Sequence, residues 1–472
     1  MKESINFTEK RKMGILPFWE AVGRGVKINN SEFKRLLESH GFGKLSLNSC
    51  FVFVKKDNNI VQTVNTPFIK DYVVKIVNET SEEDLEGVTR SELMEAVINS
   101  GRIFSSGFFE FLPTVEINFL RDTKDESFFF FRNGLLRVGR NEIKLTPYSG
   151  AEGCFRREDL LERDFIPTNG MSVFERFCIN VTANNPKRLK ALMSSIGYML
   201  HRYKDPSIPK VVVFTDELIS EDSFGRSGKG LTINAISHLR KTIRIDGRNL
   251  NMGRNFLFQR CEPDTSIIAI EDLRRSFPFN RLFSLVTDGV AIEKKNKDER
   301  YLSYADSPKF MISSNFIISG LDDSTIGRQF TVEYAPHYRE GFSPYDEFGQ
   351  LFFDEWSPEE WNRFDNFMVG CVRDYLANGL QSYKFVNLEK KRFTEATSAE
   401  FVEFIENEER IEPGRVYVNK HLFDEFVTQY PDFSKLSRKM FVKWLRTYAD
   451  LNGLRYEGKH SGCDRQTVFC VK

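Results

Sequence analysis

Two apolar segments, each followed by a short polar one, restrict the fold of this chain more than any other feature. Lys210–Phe214 is rich in β-branched residues, and the segment Ser227–Gly230, with the sequence Ser-Gly-Lys-Gly, stands between it and a helix-like stretch. Further along, the apolar run Ile267–Ile270 ends in Glu271 and Asp272. Strands that alternate with a helix in this order predict an α/β fold with a parallel sheet.

The glycine segment has the composition of a phosphate-binding loop. Backbone N–H groups and the helix dipole face the anion in such a loop, and Lys229 would reach the β- and γ-phosphates. The two carboxylates supply what a nucleotide site still needs, because one can orient Mg²⁺ and the other can activate water. We therefore expect a P-loop ATPase with ATP and Mg²⁺ as cofactors. Glu271 is the expected base and Asp272 the expected magnesium ligand, although the two roles could be exchanged.

The loop departs from the pattern G-x-x-x-x-G-K-[ST] at two positions. Ser223 stands where the first glycine is expected, and Gly230 stands where a hydroxyl normally contacts Mg²⁺. Thr232 is a poor substitute, because two further residues turn it by about 200° around a helix. The alternative interpretation is a glycine-rich turn with an unrelated lysine. The residues expected to bind the nucleotide are Gly225, Arg226, Ser227, Gly228, Lys229, Gly230 and Leu231.

Length and composition limit the remaining possibilities. The chain has 472 residues, a net charge of zero and 40% hydrophobic residues, which predicts two or three domains with real cores. Balanced charge argues against a protein wholly devoted to coating nucleic acid. Without a long apolar stretch or a signal peptide, we expect a soluble cytoplasmic protein with no membrane contact. The seven scattered cysteines are expected to be reduced thiols, and Cys463, Cys470 and His460 lack a fourth ligand for zinc.

Residues 1–170 are predicted to form a mixed α/β domain. Ser31–Glu38 has the pattern of a capped helix, and Phe51–Val54 and Phe128–Phe131 have the pattern of strands. Asn133-Gly134 is a turn dipeptide and predicts a hairpin. No primase signature is present, so we expect an accessory or oligomerisation domain.

Residues 171–385 are predicted to form the ATPase domain, with Ser357–Leu380 as a helix pair. Pro308–Asn315 is a further apolar strand, and Asn315 at its end would lie beside the γ-phosphate unless it only forms a turn. The charged run Ile292–Arg300 lies between two strand-like segments, which makes it the tip of a hairpin rather than an ordinary solvated turn. Its lysines, expected to contact DNA, are Lys294, Lys295 and Lys297.

Residues 393–472 are predicted to form a winged helix-turn-helix domain. Three helices, Ser398–Glu409, Lys420–Gln429 and Ser437–Leu451, precede two strands around a polar loop. From Arg415 onward there are eleven Lys or Arg against six Asp or Glu. The third helix would face the phosphates of duplex DNA through Arg438, Lys439 and Lys443. A protein-binding winged helix with a solvated basic face is the alternative.

The order of these features resembles the superfamily 3 helicases of viruses, phages and mobile elements, and in particular the helicase part of poxvirus-type primase-helicases. Two segments, Phe131–Leu136 and Leu145–Pro147, are together similar to a stretch of the N-terminal domain in that family. The segment Ile196–Leu200 is similar to the helix that precedes the phosphate loop in the family. Three conserved motifs of that family, A, B and C, resemble Gly225–Gly230, Ile267–Asp272 and Ser307–Asn315, in that order. The DNA-contacting hairpin of the family falls at Glu293–Lys297. Its paired arginines fall at Gly327–Phe330, where this chain has only Arg328. Pro344–Gly349 is similar to a P-x-D-E-F-G segment of a phage subgroup.

The resemblance covers about residues 130–385 and implies a AAA+ type ATPase. Such a protein assembles as a hexameric ring and translocates on single-stranded DNA, with a basic hairpin of each subunit along the channel. It further implies that Asn315 senses the nucleotide and that Arg328 completes the site of a neighbouring subunit. The expected catalytic residues are thus Glu271, Asp272, Asn315 and Arg328. A separate primase is a further expected partner.

Two other functions stay open at this point. One is an origin-binding or loader ATPase without unwinding activity, which the departures in the phosphate loop favour. The other is a DNA-binding scaffold whose ATP site is vestigial. Strand displacement separates the helicase from the loader, and the absence of ATPase activity would indicate the scaffold.

Overall fold

The computed structural model describes residues 17–23, 25–47, 50–85, 87–217, 227–253, 256–262, 264–274, 277–295, 299–315, 327–385, 393–394, 397–406, 411–412, 414–461 and 464–471. The chain divides into two compact units, Met1–Ile166 and Pro167–Lys472.

The first unit is a mixed α/β structure, as the sequence predicts. Its strands are β1 (Trp19–Val22), β2 (Gly25–Ile28), β3 (Phe42–Leu47), β4 (Cys50–Asp57), β5 (Ile60–Thr63), β6 (Glu126–Phe131), β7 (Gly134–Gly139), β8 (Ile143–Thr146), β9 (Phe155–Arg156) and β10 (Leu160–Leu161). They pair as β1-β2, β3-β4-β5-β9 and β10-β6-β7-β8. The predicted hairpin at Asn133-Gly134 is confirmed, because Phe131 pairs antiparallel with Gly134.

Four helices complete the described part of the first unit. They are α1 (Asn30–Ser39), α2 (Thr66–Glu79), α3 (Arg90–Asn99) and α4 (Ser106–Phe109). Phe33, Val73 and Leu93 come from three of these helices and are buried in one apolar cluster. The helix predicted to begin at Ser31 begins one residue earlier, because the side chain of Asn29 accepts hydrogen bonds from the next backbone N–H groups and caps it.

A five-stranded parallel sheet is the centre of the second unit, which confirms the predicted parallel α/β core. The unit's strands up to residue 334 are β11 (Val211–Asp216), β12 (Thr242–Asp246), β13 (Ile267–Glu271), β14 (Gly289–Ile292), β15 (Arg300–Ser303), β16 (Lys309–Ser314) and β17 (Gln329–Tyr334). The sheet has the order β12-β13-β16-β11-β17. Strand β16 therefore lies between the strand before the phosphate loop and the strand that ends in carboxylates. Nearly all residues of these three strands are buried, which suits strands covered on both faces.

The described helices of this part of the unit include α5 (Val173–Val181), α6 (Pro186–Leu200), α7 (Lys229–Ser237), α8 (Phe283–Thr287), α9 (Pro344–Phe348) and α10 (Pro358–Asn378). Of these, α6 contacts strand β17 of the sheet. Gly197 allows α6 and α10 to approach closely, since a Cβ at this position would lie 2.2 Å from the carbonyl oxygen of Cys371. The prediction of a helix pair over Ser357–Leu380 was wrong, because α10 is one continuous helix capped by Ser357 and ended at Gly379.

The predicted charged hairpin is confirmed in its strands. β14 and β15 pair antiparallel, from Gly289 opposite Ser303 to Ile292 opposite Arg300. Lys294 and Lys295 follow β14, whereas Lys297 lies outside the described residues.

Within the described residues from Ala399 onward lie three α-helices and a three-stranded antiparallel sheet. The elements are α11 (Ala399–Glu406), β18 (Val416–Val418), α12 (Asn419–Gln429), α13 (Arg438–Leu451), β19 (Leu454–Ser461) and β20 (Asp464–Val471), and the sheet has the order β18-β20-β19. The three predicted helices and the hairpin are confirmed, whereas β18 was not predicted. Phe401, Phe426 and Phe441 share a separate apolar core.

Among the described residues, no helix is long and apolar enough to cross a membrane. Within that same part of the chain, Cys154, Cys178, Cys261, Cys371 and Cys470 are free cysteines, and no cluster of His, Cys, Asp and Glu could hold a metal ion. Cys463 lies outside the described residues.

Candidate functional site

The helix that follows the glycine segment begins at Lys229, and Gly228 is its N-terminal cap residue. Gly228 has φ 96° and ψ 3°, the left-handed conformation that favours glycine. A Cβ at this position would lie 2.5 Å from Cζ of Phe177, a fully buried ring of α5. Backbone geometry and packing therefore both require glycine here. Gly225 and Arg226 lie outside the described residues.

The side chain of Lys229 is buried and bonded to three oxygen atoms. Its Nζ donates to Oδ2 of Asp216 at 2.6 Å, to Oδ1 of Asn315 at 3.0 Å and to Oγ of Ser227 at 3.1 Å. Only 4% of Lys229 is exposed. The structure thus brings together three residues that the sequence indicated, and it adds Asp216, which the sequence did not indicate.

The sheet order explains why Asn315 reaches the lysine. Strand β16 pairs in parallel with β11, with Ser314 opposite Thr215, so Asn315 and Asp216 emerge side by side at the carboxyl edge. On its other side β16 pairs with β13. Asn315 therefore follows the strand between the lysine and the carboxylates, and two strand spacings of about 4.8 Å separate β11 from β13.

The residues directly after Lys229 lie in environments that differ from one another. Gly230 has open space where a Cβ would be, whereas Thr232 is fully buried. The hydroxyl oxygen of Thr232 accepts a hydrogen bond from the Tyr334 hydroxyl at 2.7 Å. Its side chain therefore belongs to the core and does not replace the hydroxyl missing at Gly230. Leu231 donates its backbone N–H to the carbonyl of Gly228.

Glu271 and Asp272 both lie in ion pairs. Arg244 on β12 binds Glu271 through Nε and through Nη2, the latter 2.7 Å from Oε2. Arg248 follows β12 and binds Oδ2 of Asp272. The hydrogen bonds that Arg244 donates to Glu271 raise the pKa of Arg244 above its ordinary value, and the bond that Arg248 donates to Asp272 does the same for Arg248. Neither arginine was predicted from the sequence.

Asp272 is held by the backbone as well as by its side chain. It has φ 54°, an uncommon value for a residue other than glycine. Its N–H donates to Oγ of Ser313 at 3.1 Å, and the next N–H, of Leu273, donates to the Ser313 carbonyl at 2.9 Å. Strand β16 therefore fixes the turn that carries the carboxylate.

Arg328 lies away from the other candidate residues of its own chain. It directly precedes β17, whose first residue pairs with Val211, and so it lies at the amino edge of the sheet. Six residues of strand, at about 3.3 Å each, separate that edge from the lysine. Its guanidinium lies over the Phe283 ring, 4.5 Å from the centroid.

The hairpin lysines differ from one another. Lys294 is partly buried and pairs with Glu262, while Lys295 is exposed. A groove of about 540 Å³ lies beside β14, and its lining includes Phe256, Phe258 and Arg281. Phe256 is 40% exposed, so an aromatic face is open to solvent next to the hairpin. No function was predicted from the sequence for the residues that line this groove.

The predicted basic residues of the third C-terminal helix lie near its start. Arg438, Lys439 and Lys443 are all exposed on α13. The guanidinium of Arg438 is 3.7 Å from Asp424 and lies over the ring of Phe423. Lys439 and Lys443 are four residues apart and so lie on the same side of α13.

Comparisons with known proteins give only distant likenesses. No family model and no curated protein matches the chain. Among solved structures, the apo structure of the NrS-1 C-terminal region (305–718) has 13% sequence identity and a TM-score of 0.41, and covers 93% of this chain and 98% of that one. A crystal structure of JCV helicase has 14% identity and a TM-score of 0.28, and covers 42% of this chain and 52% of that one. Similarity at these scores decides neither the fold nor the function.

Proposed function

We propose that the chain is a AAA+ type P-loop ATPase that acts as a DNA helicase in phage or mobile-element replication. The observation that carries the proposal is the meeting of Lys229 and Asn315 at the carboxyl edge of a parallel sheet, with Glu271 at the end of the neighbouring strand β13 and Asp272 directly after it. A lysine at a helix N-terminus, a polar sensor and two carboxylates are the groups that ATP hydrolysis requires. The five-stranded parallel core supports this placement.

The proposed phosphate-binding site lies at the N-terminus of α7. The backbone around Gly228 and the N-terminus of the helix would hold the phosphates, and Lys229 would contact the β- and γ-phosphates. Carboxylate oxygens are ligands that Mg²⁺ prefers, so Asp272 suits the metal. The metal would neutralise charge on the phosphates when bound. Gly230 offers no hydroxyl ligand, although the space around it is open.

Hydrolysis requires a base and a group that orients the γ-phosphate. Glu271 lies at the end of a buried strand and is the proposed base for the attacking water. Asn315, which already contacts Lys229, would bond the γ-phosphate through its amide. These two side chains come from neighbouring strands, so the rigid sheet fixes their separation.

Arg328 would act on the nucleotide of a neighbouring subunit. Its position at the amino edge of the sheet, one strand length from Lys229, prevents it from reaching the phosphates of its own chain. A homo-oligomeric ring, which the resemblance implies to be a hexamer, would bring the amino edge of one subunit to the carboxyl edge of the next. The cation–π contact with Phe283 holds the guanidinium in place for this role.

Single-stranded DNA is the proposed track. Lys294, Lys295 and Lys297 would follow the phosphate backbone, and Phe256 offers a face on which a base can stack. The hairpin lies between the strand of the base and the strand of the sensor along the chain, so it can move with the ATP site.

The C-terminal domain, residues 393–472, is proposed to be a winged helix that recruits duplex DNA. Arg438, Lys439 and Lys443 would contact phosphates from α13. Residues 1–170 would form an accessory domain, and a separate primase would supply primers. Replication of a phage or mobile element takes place in the cytoplasm, which is where we propose that the protein acts.

ATP hydrolysis with and without single-stranded DNA tests the proposal, together with unwinding of a forked duplex. We expect DNA to stimulate hydrolysis and the fork to be opened. A loader ATPase, which the missing hydroxyl at Gly230 favours, would hydrolyse ATP without opening the fork. A scaffold with a vestigial site would show no hydrolysis under either condition, and this would refute the proposal.

Two variants test the hairpin lysines and the C-terminal domain as separate DNA-binding surfaces. Replacing Lys294, Lys295 and Lys297 by alanine should remove the DNA-stimulated part of hydrolysis. Deleting residues 393–472 should weaken duplex binding and lower the slope of log affinity against log salt by roughly one for each phosphate that the shortened protein no longer binds. Unwinding that survives the triple substitution, or an unchanged salt slope after the deletion, would contradict the assignment.

A further inference from the structure

The ammonium group of Lys229 uses every hydrogen-bond donor that it has. A lysine ammonium has three N–H donors. Its Nζ is bonded to one oxygen each of Asp216, Ser227 and Asn315, and the side chain is buried. A phosphate can therefore bind Lys229 only by replacing one of these three oxygens.

Asp216 carries the oxygen that a phosphate opposes most strongly. Ser227 and Asn315 are neutral, so their bonds to the lysine are compatible with a neighbouring anion. Asp216 carries the same sign of charge as a phosphate and is itself buried at the end of β11. Two anions on one buried ammonium repel each other, and the repulsion is stronger in the protein interior than in water.

The same internal pairing occurs at the carboxylates of the site. Arg244 binds Glu271 and Arg248 binds Asp272. Lys229, Glu271 and Asp272 are thus each paired with an opposite charge of the same chain.

We propose that Asp216 is an internal competitor of the nucleotide's terminal phosphate, and that exchange of this carboxylate for the phosphate sets the affinity of the site for ATP. The inference rests on the proposed function and deepens it. Asp216 holds the lysine in place and lowers the affinity of the site for any polyphosphate.

Asp216→Asn tests this directly. The asparagine has the same shape and still accepts a hydrogen bond from Lys229, but it carries no charge. An opposite charge within a few ångströms favours the ionised form of a group by about one to three pKa units, which is at least about tenfold in the equilibrium constant, and the asparagine lacks that charge. We therefore expect the variant to bind ATP about tenfold more tightly than wild type, both with and without Mg²⁺.

Asp246→Asn is the matched control. Asp246 also ends a strand at the carboxyl edge of the sheet, but its side chain accepts from the Arg248 N–H and from Asn249 and not from the lysine. Its neutralisation should change ATP affinity by less than about twofold at an ionic strength of 0.15 M, where the Debye length is about 8 Å. Asp216→Ser, which also removes the charge, takes the place of Asp216→Asn if that variant has a lower thermal midpoint.

The outcomes are distinct. Equal or weaker ATP binding by Asp216→Asn in either buffer overturns the inference, and so does an equal gain in Asp246→Asn, since charge alone would then explain it. If wild type binds ATP through Lys229 and the variant binds no more tightly, the proposed function stands and the inference fails. If wild type binds no ATP, the proposed function fails, and the inference fails with it.

Discussion

Replacing Gly228 by alanine should damage the site by two separable effects. The backbone at Gly228 has φ 96°, and the left-handed region costs a residue with a Cβ about 1–2 kcal/mol. The added Cβ would also lie 2.5 Å from Cζ and 2.6 Å from Cε2 of Phe177. Forcing an extra carbon into such a core costs about 1–3 kcal/mol. Together the effects reach about 2–5 kcal/mol, a large part of the 5–15 kcal/mol that stabilises a typical domain.

Gly230→Ala is the matched control for this change. Gly230 lies two residues further on, within α7, and a Cβ there would meet nothing within 4 Å. Alanine inside a helix is more stable than glycine by about 0.5–1 kcal/mol. The two substitutions add the same methyl group two residues apart, and we expect opposite effects on the free energy of unfolding.

Urea unfolding followed by tryptophan fluorescence measures both variants. The Trp361 ring lies 5.0 Å from the ring of His238, which ends α7, so its emission reports on this region. Gly228→Ala should unfold at lower urea and lose ATP binding, and adding Phe177→Leu should restore only the steric part of the loss. A wild-type midpoint with normal ATP binding in Gly228→Ala would refute the reasoning.

Three further predictions concern other positions. Gly230→Ser should raise magnesium-dependent ATP turnover, because the open space admits the missing hydroxyl, and unchanged turnover at every Mg²⁺ concentration would count against a metal next to this residue. Burial lowers the pKa of Lys204 from 10.5 to about 8, so the unfolded chain binds more protons than the folded one between these values. The free energy of unfolding of wild type relative to that of Lys204→Met should therefore rise by about 3 kcal/mol from pH 8 to pH 10.5. Urea titrations in which this difference stays constant with pH would contradict the lowered pKa. Mixing Arg328→Ala with Lys229→Ala subunits should restore some ATPase activity at shared interfaces, and no rescue in rings shown to be mixed would exclude action between subunits.

Local patterns predicted the elements and the residues at their ends. The β-branched run before Asp216 and the apolar run before Glu271 are strands, and the glycine turn leads into a helix, as the residue types indicate. Strand and helix periodicity depends on neighbours in sequence, so it can be read without a structure. Asn315 was found for the same reason, because it ends an apolar strand.

The missed residues depend on contacts that the local pattern does not show. Asp216 ends the strand before the glycine segment and binds the lysine that begins the next helix, 13 residues further on. Arg244 lies 27 residues before Glu271 and binds it because β12 lies beside β13. Strand order is set by packing between distant parts of the chain, and nothing in the local sequence around Arg244 indicates its partner.

Tertiary packing also explains the errors in the elements. The predicted helix pair over Ser357–Leu380 is a single helix that continues past Gly370. A glycine inside a helix costs about 1 kcal/mol relative to alanine, and the packing of α10 against α6 offsets this cost. Strand β18 has three residues and exists through its pairing with β20. A strand so short has too few residues to show a period of two.

The central claim is that Lys229 binds the phosphates of ATP, and direct titration of ATP into wild type and into Lys229→Ala tests it most directly. Because the substitution removes the cation that Asp216 binds, the double variant Lys229→Ala/Asp216→Asn should be titrated as well, with the thermal midpoint of each protein recorded. Removing one partner of a buried ion pair costs about 3–5 kcal/mol, so the double variant separates the loss of a phosphate ligand from a damaged fold. We expect ATP binding by wild type and none by either variant, including the double variant, whose thermal midpoint should lie closer to that of wild type than the midpoint of Lys229→Ala does. Unchanged ATP affinity in a folded variant without the lysine would contradict the central claim.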